Sequence, residues 1–167
     1  MSTSDHVPFL HPTRIDIPLE IRTYVILLQQ QTLACTIDLR SHVKQASWNV
    51  KGQQASQLQA LFGTIATELD AYADLLAARI AVLGGVARGT ARTAVAQSPL
   101  PEYPSALVAG DAHVLALAER LAHYATGIRA DIVHTADVED AATANLYTDM
   151  SRGIETRLGG LDAYLHH

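Results

Sequence analysis

Residues Leu19 to Asn49 contain neither Gly nor Pro, and this constrains the fold more than any other feature of the chain. Apolar residues at Val25, Leu28, Leu33, Cys35, Leu39, Val43 and Ala46 recur there at approximately helical spacing. The run predicts one helix of roughly 30 residues, about 45 Å long. Pro18 suits its first helical position, where a missing N–H costs nothing, and Gly52 ends it. A second helix is predicted from the N-capping Ser56, with Leu58, Phe62, Ile65, Leu69, Leu76, Ile80 and Leu83 as its apolar stripe. Gly84-Gly85 stops it in the manner of a left-handed cap. Residues 86–104 carry Gly89, Pro99, Pro101 and Pro104 around a short Ala-rich piece, Thr93 to Gln97, and read as a crossover. A third helix is predicted over Ser105 to Thr135. A fourth is predicted after Asp137, running to Leu165, with Asp137 and Asp140 at its positive end. No stretch alternates with period two. The expected fold class is all-α: a four-helix bundle with a long crossover between helices 2 and 3.

Of the 167 residues, 49% are hydrophobic and 17% are charged, against roughly 25% charged in ordinary soluble domains. So sparse a charged surface suggests a chain that covers part of itself with its own copies. The net charge is −5, and Lys44 and Lys51 are the only lysines, which argues against a basic nucleic-acid face. A single cysteine, Cys35, excludes an internal disulfide and a Cys-rich zinc site. Residues 1–17 hold Pro8 and Pro12 without a clear period and read as an extended N-terminal arm before a bundle over 18–165. No signal peptide and no run of roughly 20 apolar residues is visible, so a soluble cytoplasmic protein is expected.

The segment Lys44-Gln45-Ala46-Ser47-Trp48-Asn49-Val50-Lys51-Gly52 resembles the signature of the Dps family, the ferritin-like DNA-binding proteins from starved cells. Tyr72-Ala73-Asp74, Ala77-Ala78-Arg79-Ile80 and Leu83-Gly84-Gly85 resemble the end of that family's second helix. Gly89-Thr90, Tyr103-Pro104 and Thr143-Ala144-Asn145-Leu146-Tyr147-Thr148 continue the likeness. The resemblance runs from about Ile17 to Leu165. It implies a ferritin-like four-helix bundle assembling into a spherical shell of twelve copies. It also implies iron storage and stress protection, with Fe(II) oxidised by hydrogen peroxide at a site between two subunits.

That family's site takes one His before the Trp, a second His twelve positions on, an acid four further, then an Asp and a Glu one turn apart. Imidazole nitrogen and carboxylate oxygen suit Fe(II), which accepts both. Here these positions are Ser47, Gln59, Gly63, Asp74 and Ala78, so one of five side chains is retained. The resemblance therefore implies a degenerate ferroxidase centre with weak or absent Fe(II) oxidation. By helical geometry Gln59, Gly63, Asp70 and Asp74 fall within roughly 60° on one face of the second helix. Asp70 and Asp74 are the candidate metal residues of a remodelled site; two solvated or Arg-paired acids are the alternative. Asp38 and His42 form another i, i+4 pair, but His42 lies roughly 140° around its helix from Ser47. Trp48 flanks the family site, as a protector of the centre or as an interface aromatic.

Asp137, Glu139 and Asp140 stand near the family's three-fold pore, either as a cation funnel or as helix caps. His113, His123 and His134 are too far apart to share an ion and read as surface or interface residues. Twelve copies at −5 each carry about −60, which repels DNA at neutral pH; histidine protonation weakens that repulsion. Three readings stay open: an iron-storage shell, alone or co-assembled with an active paralogue; a structural or binding shell that has left iron chemistry; and an enzyme with a metal site rebuilt at the subunit interface.

Overall fold

The Gly-free run folds as one helix, α1 (Leu19–Asn49), in a computed structural model that describes residues 10–166. Four more helices follow: α2 (Ala55–Val82), α3 (Ala91–Gln97), α4 (Gly110–Asp137) and α5 (Ala141–Leu165). The described residues hold no strand, only an isolated parallel bridge between Lys51 and Ala109. Of the expected arm, residues 1–9 lie outside the described residues.

Short loops join α1 to α2 and α4 to α5 as antiparallel hairpins, and the long crossover carrying α3 connects the two pairs. All seven expected stripe residues of the second helix are buried. They pack with Val25, Leu39 and Val43 of α1, Val114, Leu117, Leu121 and Ile128 of α4, and Tyr147, Met150 and Ile154 of α5. Removing such side chains from water is the main favourable contribution to the fold. Cys35 sits in the same core, and burial pushes its thiol up to about 12.

The core is not wholly apolar. Thr32 and Thr36 face inward from α1. The Thr36 hydroxyl meets the Tyr124 hydroxyl at 2.6 Å, and the Thr32 hydroxyl meets the Tyr147 hydroxyl at 3.0 Å. Thr32 also donates to Asp131 Oδ2 at 2.9 Å. Burial raises the Asp131 carboxyl above its usual range, and that bond opposes the rise only in part. Each hydroxyl thus has a partner, as buried polar groups require.

Several element ends differ from the sequence expectation. Pro18 is the N-cap of α1 rather than its first helical residue. The second helix starts at Ala55, before Ser56, without a side-chain cap. The third long helix begins at Gly110, five residues later than expected. Ser105 and Ala106 form a turn and Ala109 is extended, and Lys51 N–H donates to the Val108 carbonyl at 3.0 Å, tying the crossover to the α1–α2 loop. Gly110 fits there because a Cβ would lie 2.7 Å from Leu58 Cδ1. The Ala-rich piece of the crossover forms the expected short helix, starting two residues before Thr93, and the Thr90 side chain caps it through Thr93 N–H.

Two contacts fix the C-terminal end of α2. Leu83-Gly84-Gly85 closes it as a Schellman motif: Gly84 N–H bonds to Ala81 O at 2.9 Å and Gly85 N–H to Ile80 O at 2.9 Å. Gly84 has φ +92, and a Cβ there would meet the His11 carbonyl oxygen at 2.5 Å. Near the same end, Arg79 Nη2 reaches Asp140 Oδ1 at 2.8 Å, and Arg79 Nε donates to the Thr143 hydroxyl at 2.9 Å. Asp140 is fully enclosed and also accepts from Thr143 N–H at 3.1 Å, so it caps α5. Lower down, Arg157 Nε meets Glu68 Oε2 at 2.5 Å, and Tyr72 donates to Glu68 Oε1 at 2.6 Å. Gly153 makes room for that Tyr72 hydroxyl, which a Cβ would overlap.

Replacing Arg79 with Leu strands the Asp140 carboxylate and is expected to cost about 3 kcal/mol or more. Gly84→Ala adds backbone strain to a clash and is expected to cost about 1–3 kcal/mol. Denaturant midpoints at unchanged slope measure both.

Candidate functional site

The five family positions lie on α1 and α2. Ser47 is half-buried near the end of α1, Gln59 is exposed, and Gly63 is half-buried on the first turns of α2. Asp74 and Ala78 are exposed farther along α2. At 1.5 Å per residue, Asp74 lies about 22 Å along the helix from Gln59. One chain therefore cannot bring the two halves to one ion. Among the described residues, no three His, Cys, Asp or Glu side chains gather where a metal ion would bridge them.

Asp70 and Asp74 share the exposed face of α2 that the sequence indicated. The structure adds what the sequence left open for Asp70: Arg40 Nε of α1 lies 3.0 Å from its Oδ1. Both side chains are about half exposed, where such a pair contributes roughly 0–1 kcal/mol. The Asp74 carboxylate has no hydrogen bond or ion pair among the described residues. Around Gly63 a Cβ would meet nothing within 4 Å, so the emptied acid position is open space in the single chain.

Trp48 is 66% exposed, and Lys44 Nζ stands 5.6 Å from the centre of its ring. A large exposed indole beside the emptied positions marks a surface that another chain would cover.

At the start of α5 the structure separates the acids. Asp140 is the buried cap described above and is closed to a pore. Asp137 and Glu139 remain exposed, and Glu139 adopts φ 63, a left-handed conformation uncommon for a residue with a Cβ.

His113 departs from the expectation of a surface residue. It is 1% exposed, and its Nδ1 lies 2.7 Å from the Tyr103 hydroxyl. Burial holds its imidazole below the ordinary value, against the Leu107 carbonyl. The Tyr103 ring lies between it and His42, with ring centres 6.1 Å and 5.4 Å away. His42 is also buried; its Nε2 is 3.3 Å from Asp38 Oδ1. The sequence placed Asp38 and His42 one turn apart, but gave no sign that the crossover brings Tyr103 onto them.

Comparison with known proteins agrees with this geometry. The ferritin-like domain family matches residues 27–167. The "DNA protection during starvation protein" of Agrobacterium fabrum (strain C58 / ATCC 33970) is 34% identical over 155 residues, 93% of this chain and 96% of that one. DpsC from Streptomyces coelicolor superposes with a TM-score of 0.91 at 22% identity, covering 98% of this chain and 96% of the other. DpsA14 from the same organism superposes with a TM-score of 0.88 at 28% identity, covering 93% and 94%. The chain belongs to the Dps family of ferritin-like proteins.

Proposed function

We propose that this chain builds a cytoplasmic, Dps-like homo-oligomeric shell of the iron-storage and stress-protection class, whose ferroxidase centre is degenerate. In this reading residues 1–17 form the arm and residues 18–165 the shell-forming bundle. Iron is substrate and cargo.

The donor set carries the reading. Fe(II) oxidation needs several anionic or imidazole donors held on one ion. Ser47 and Gln59 offer weak neutral oxygens, while Gly63 and Ala78 offer none. Asp74 alone keeps a carboxylate, and the nearest acid along its helix, Asp70, is neutralised by Arg40. Two copies facing each other supply two such half-sites and still no imidazole. Iron then reaches the shell at other acids, or is oxidised by an active paralogue assembled with it. The exposed Trp48 and the low charge content support assembly, and the −5 charge per chain supports a shell that leaves DNA unbound at neutral pH.

A metal site rebuilt on Asp70 and Asp74 is the second reading, favoured by their shared exposed face. It requires Arg40 to give up Asp70.

Light scattering should find a particle near twelve times 18.0 kDa, about 216 kDa. In stopped-flow mixing with hydrogen peroxide, the native chain should oxidise Fe(II) no faster than buffer. The variant S47H/Q59H/G63D/A78E should gain at least about tenfold, because the open space at Gly63 admits the acid. Equal rates would show that these positions do not meet across a dimer. Fast oxidation by the native chain, lost in Asp74→Ala, would establish the rebuilt site. A DNA mobility-shift titration at neutral pH should leave the DNA free.

A further inference from the structure

Besides the Lys51–Val108 bond, side chains of α1 and α4 hold the crossover between α3 and α4 against the bundle. Arg120 of α4 donates through Nη2 to the Glu102 carbonyl at 2.6 Å and to the Pro101 carbonyl at 3.5 Å. Its guanidinium carbon lies 5.2 Å from the centre of the Tyr103 ring. Tyr103 is held between His42 of α1 and His113 of α4, and its hydroxyl meets His113 Nδ1. Two imidazole nitrogens of this group, His42 Nδ1 and His113 Nε2, are buried without a hydrogen-bond partner.

We propose that His42, Tyr103, His113 and Arg120 form an acid-released clasp that holds the crossover, residues 98–109, against the helices.

The charges around the clasp set its direction. Arg120 brings a guanidinium cation to the group. Asp38 is the one carboxylate in contact with an imidazole of the group; the exposed Glu102 lines the cleft beside His42 and Tyr103 without touching either imidazole. Lys44 lines the same cleft as His42 and Tyr103 and adds positive charge, while Arg40, also on that cleft, is paired with Asp70. That cleft, of about 410 Å³, gives protons a route to His42. Neutral imidazoles let Arg120 lie over Tyr103 without opposition. Protonation of both puts three cations around one phenol ring, with one carboxylate in contact to balance them. Protonated His113 also becomes a donor at both nitrogens, so Nδ1 no longer accepts from the Tyr103 hydroxyl.

Burial holds both imidazoles below their ordinary value. For His42, Arg120 adds to that lowering and Asp38 opposes it. A histidine depressed in the folded state binds its proton more readily when released. Attachment is therefore complete above the ordinary imidazole value and weakens as pH falls below it.

Hydrogen exchange on the assembled full chain tests this. After correction for intrinsic rates, protection of residues 100–109 and of the Lys51 amide, which donates to Val108, is followed from about pH 7 to pH 5. The expected result is a loss of at least about tenfold confined to these amides, while the α2 and α5 cores stay protected. In His113→Phe, which keeps a flat ring but binds no proton, the loss should shrink markedly; His42→Gln is the second variant if that one does not fold. Unchanged protection would overturn the proposal. So would a loss shared with the α2 and α5 cores, or one that persists in full in both variants.

Discussion

Arg79 ties the last turns of α2 to the first turn of α5 through Asp140 and Thr143. The rest of the bundle depends on this contact, because α1–α2 and α4–α5 are each closed by their own short loop. The only covalent link between the two hairpins is a crossover of mixed structure. A guanidinium enclosed with a capping carboxylate supplies direction that apolar packing lacks. It sets which turn of α2 meets which turn of α5. The Glu68–Arg157–Tyr72 group repeats the device lower down, where Gly153 lets the phenol approach. With the register fixed twice, the apolar stripes have one way to interlock.

The stripes themselves were legible. Helical spacing and Gly-Pro punctuation define four long helices, and each expected α2 stripe residue is buried because a 3.6-residue period has one geometric meaning. Helix starts were less legible. Ser56 is a good cap by residue type, yet α2 begins one residue earlier; Ser105 is replaced by Gly110 because a backbone bond from Lys51 to Val108 wins over local propensity. Such contacts join residues more than fifty positions apart and leave no periodic trace.

The candidate site divides in the same way. Its positions were readable only through the family resemblance, whose ligand pattern falls on Ser47, Gln59, Gly63, Asp74 and Ala78. Arg40 against Asp70 was not, because it depends on how α1 and α2 are rotated about their axes. The enclosure of His113 was also hidden: a histidine on a long helix reads as solvated until the loop that covers it is placed. Polar residues on α1, notably Thr32 and Thr36, blur its stripe in sequence. In the fold they are satisfied by tyrosine hydroxyls from α4 and α5.

Cys35 has a consequence for chemistry in an oxidising setting. A thiol held near 12 and shut inside the bundle presents almost no thiolate at neutral pH, and peroxide attacks the thiolate. Sulfenic acid formation and disulfide cross-linking between copies are thus both suppressed at this residue. The one sulfhydryl of the chain is thereby kept out of such oxidation.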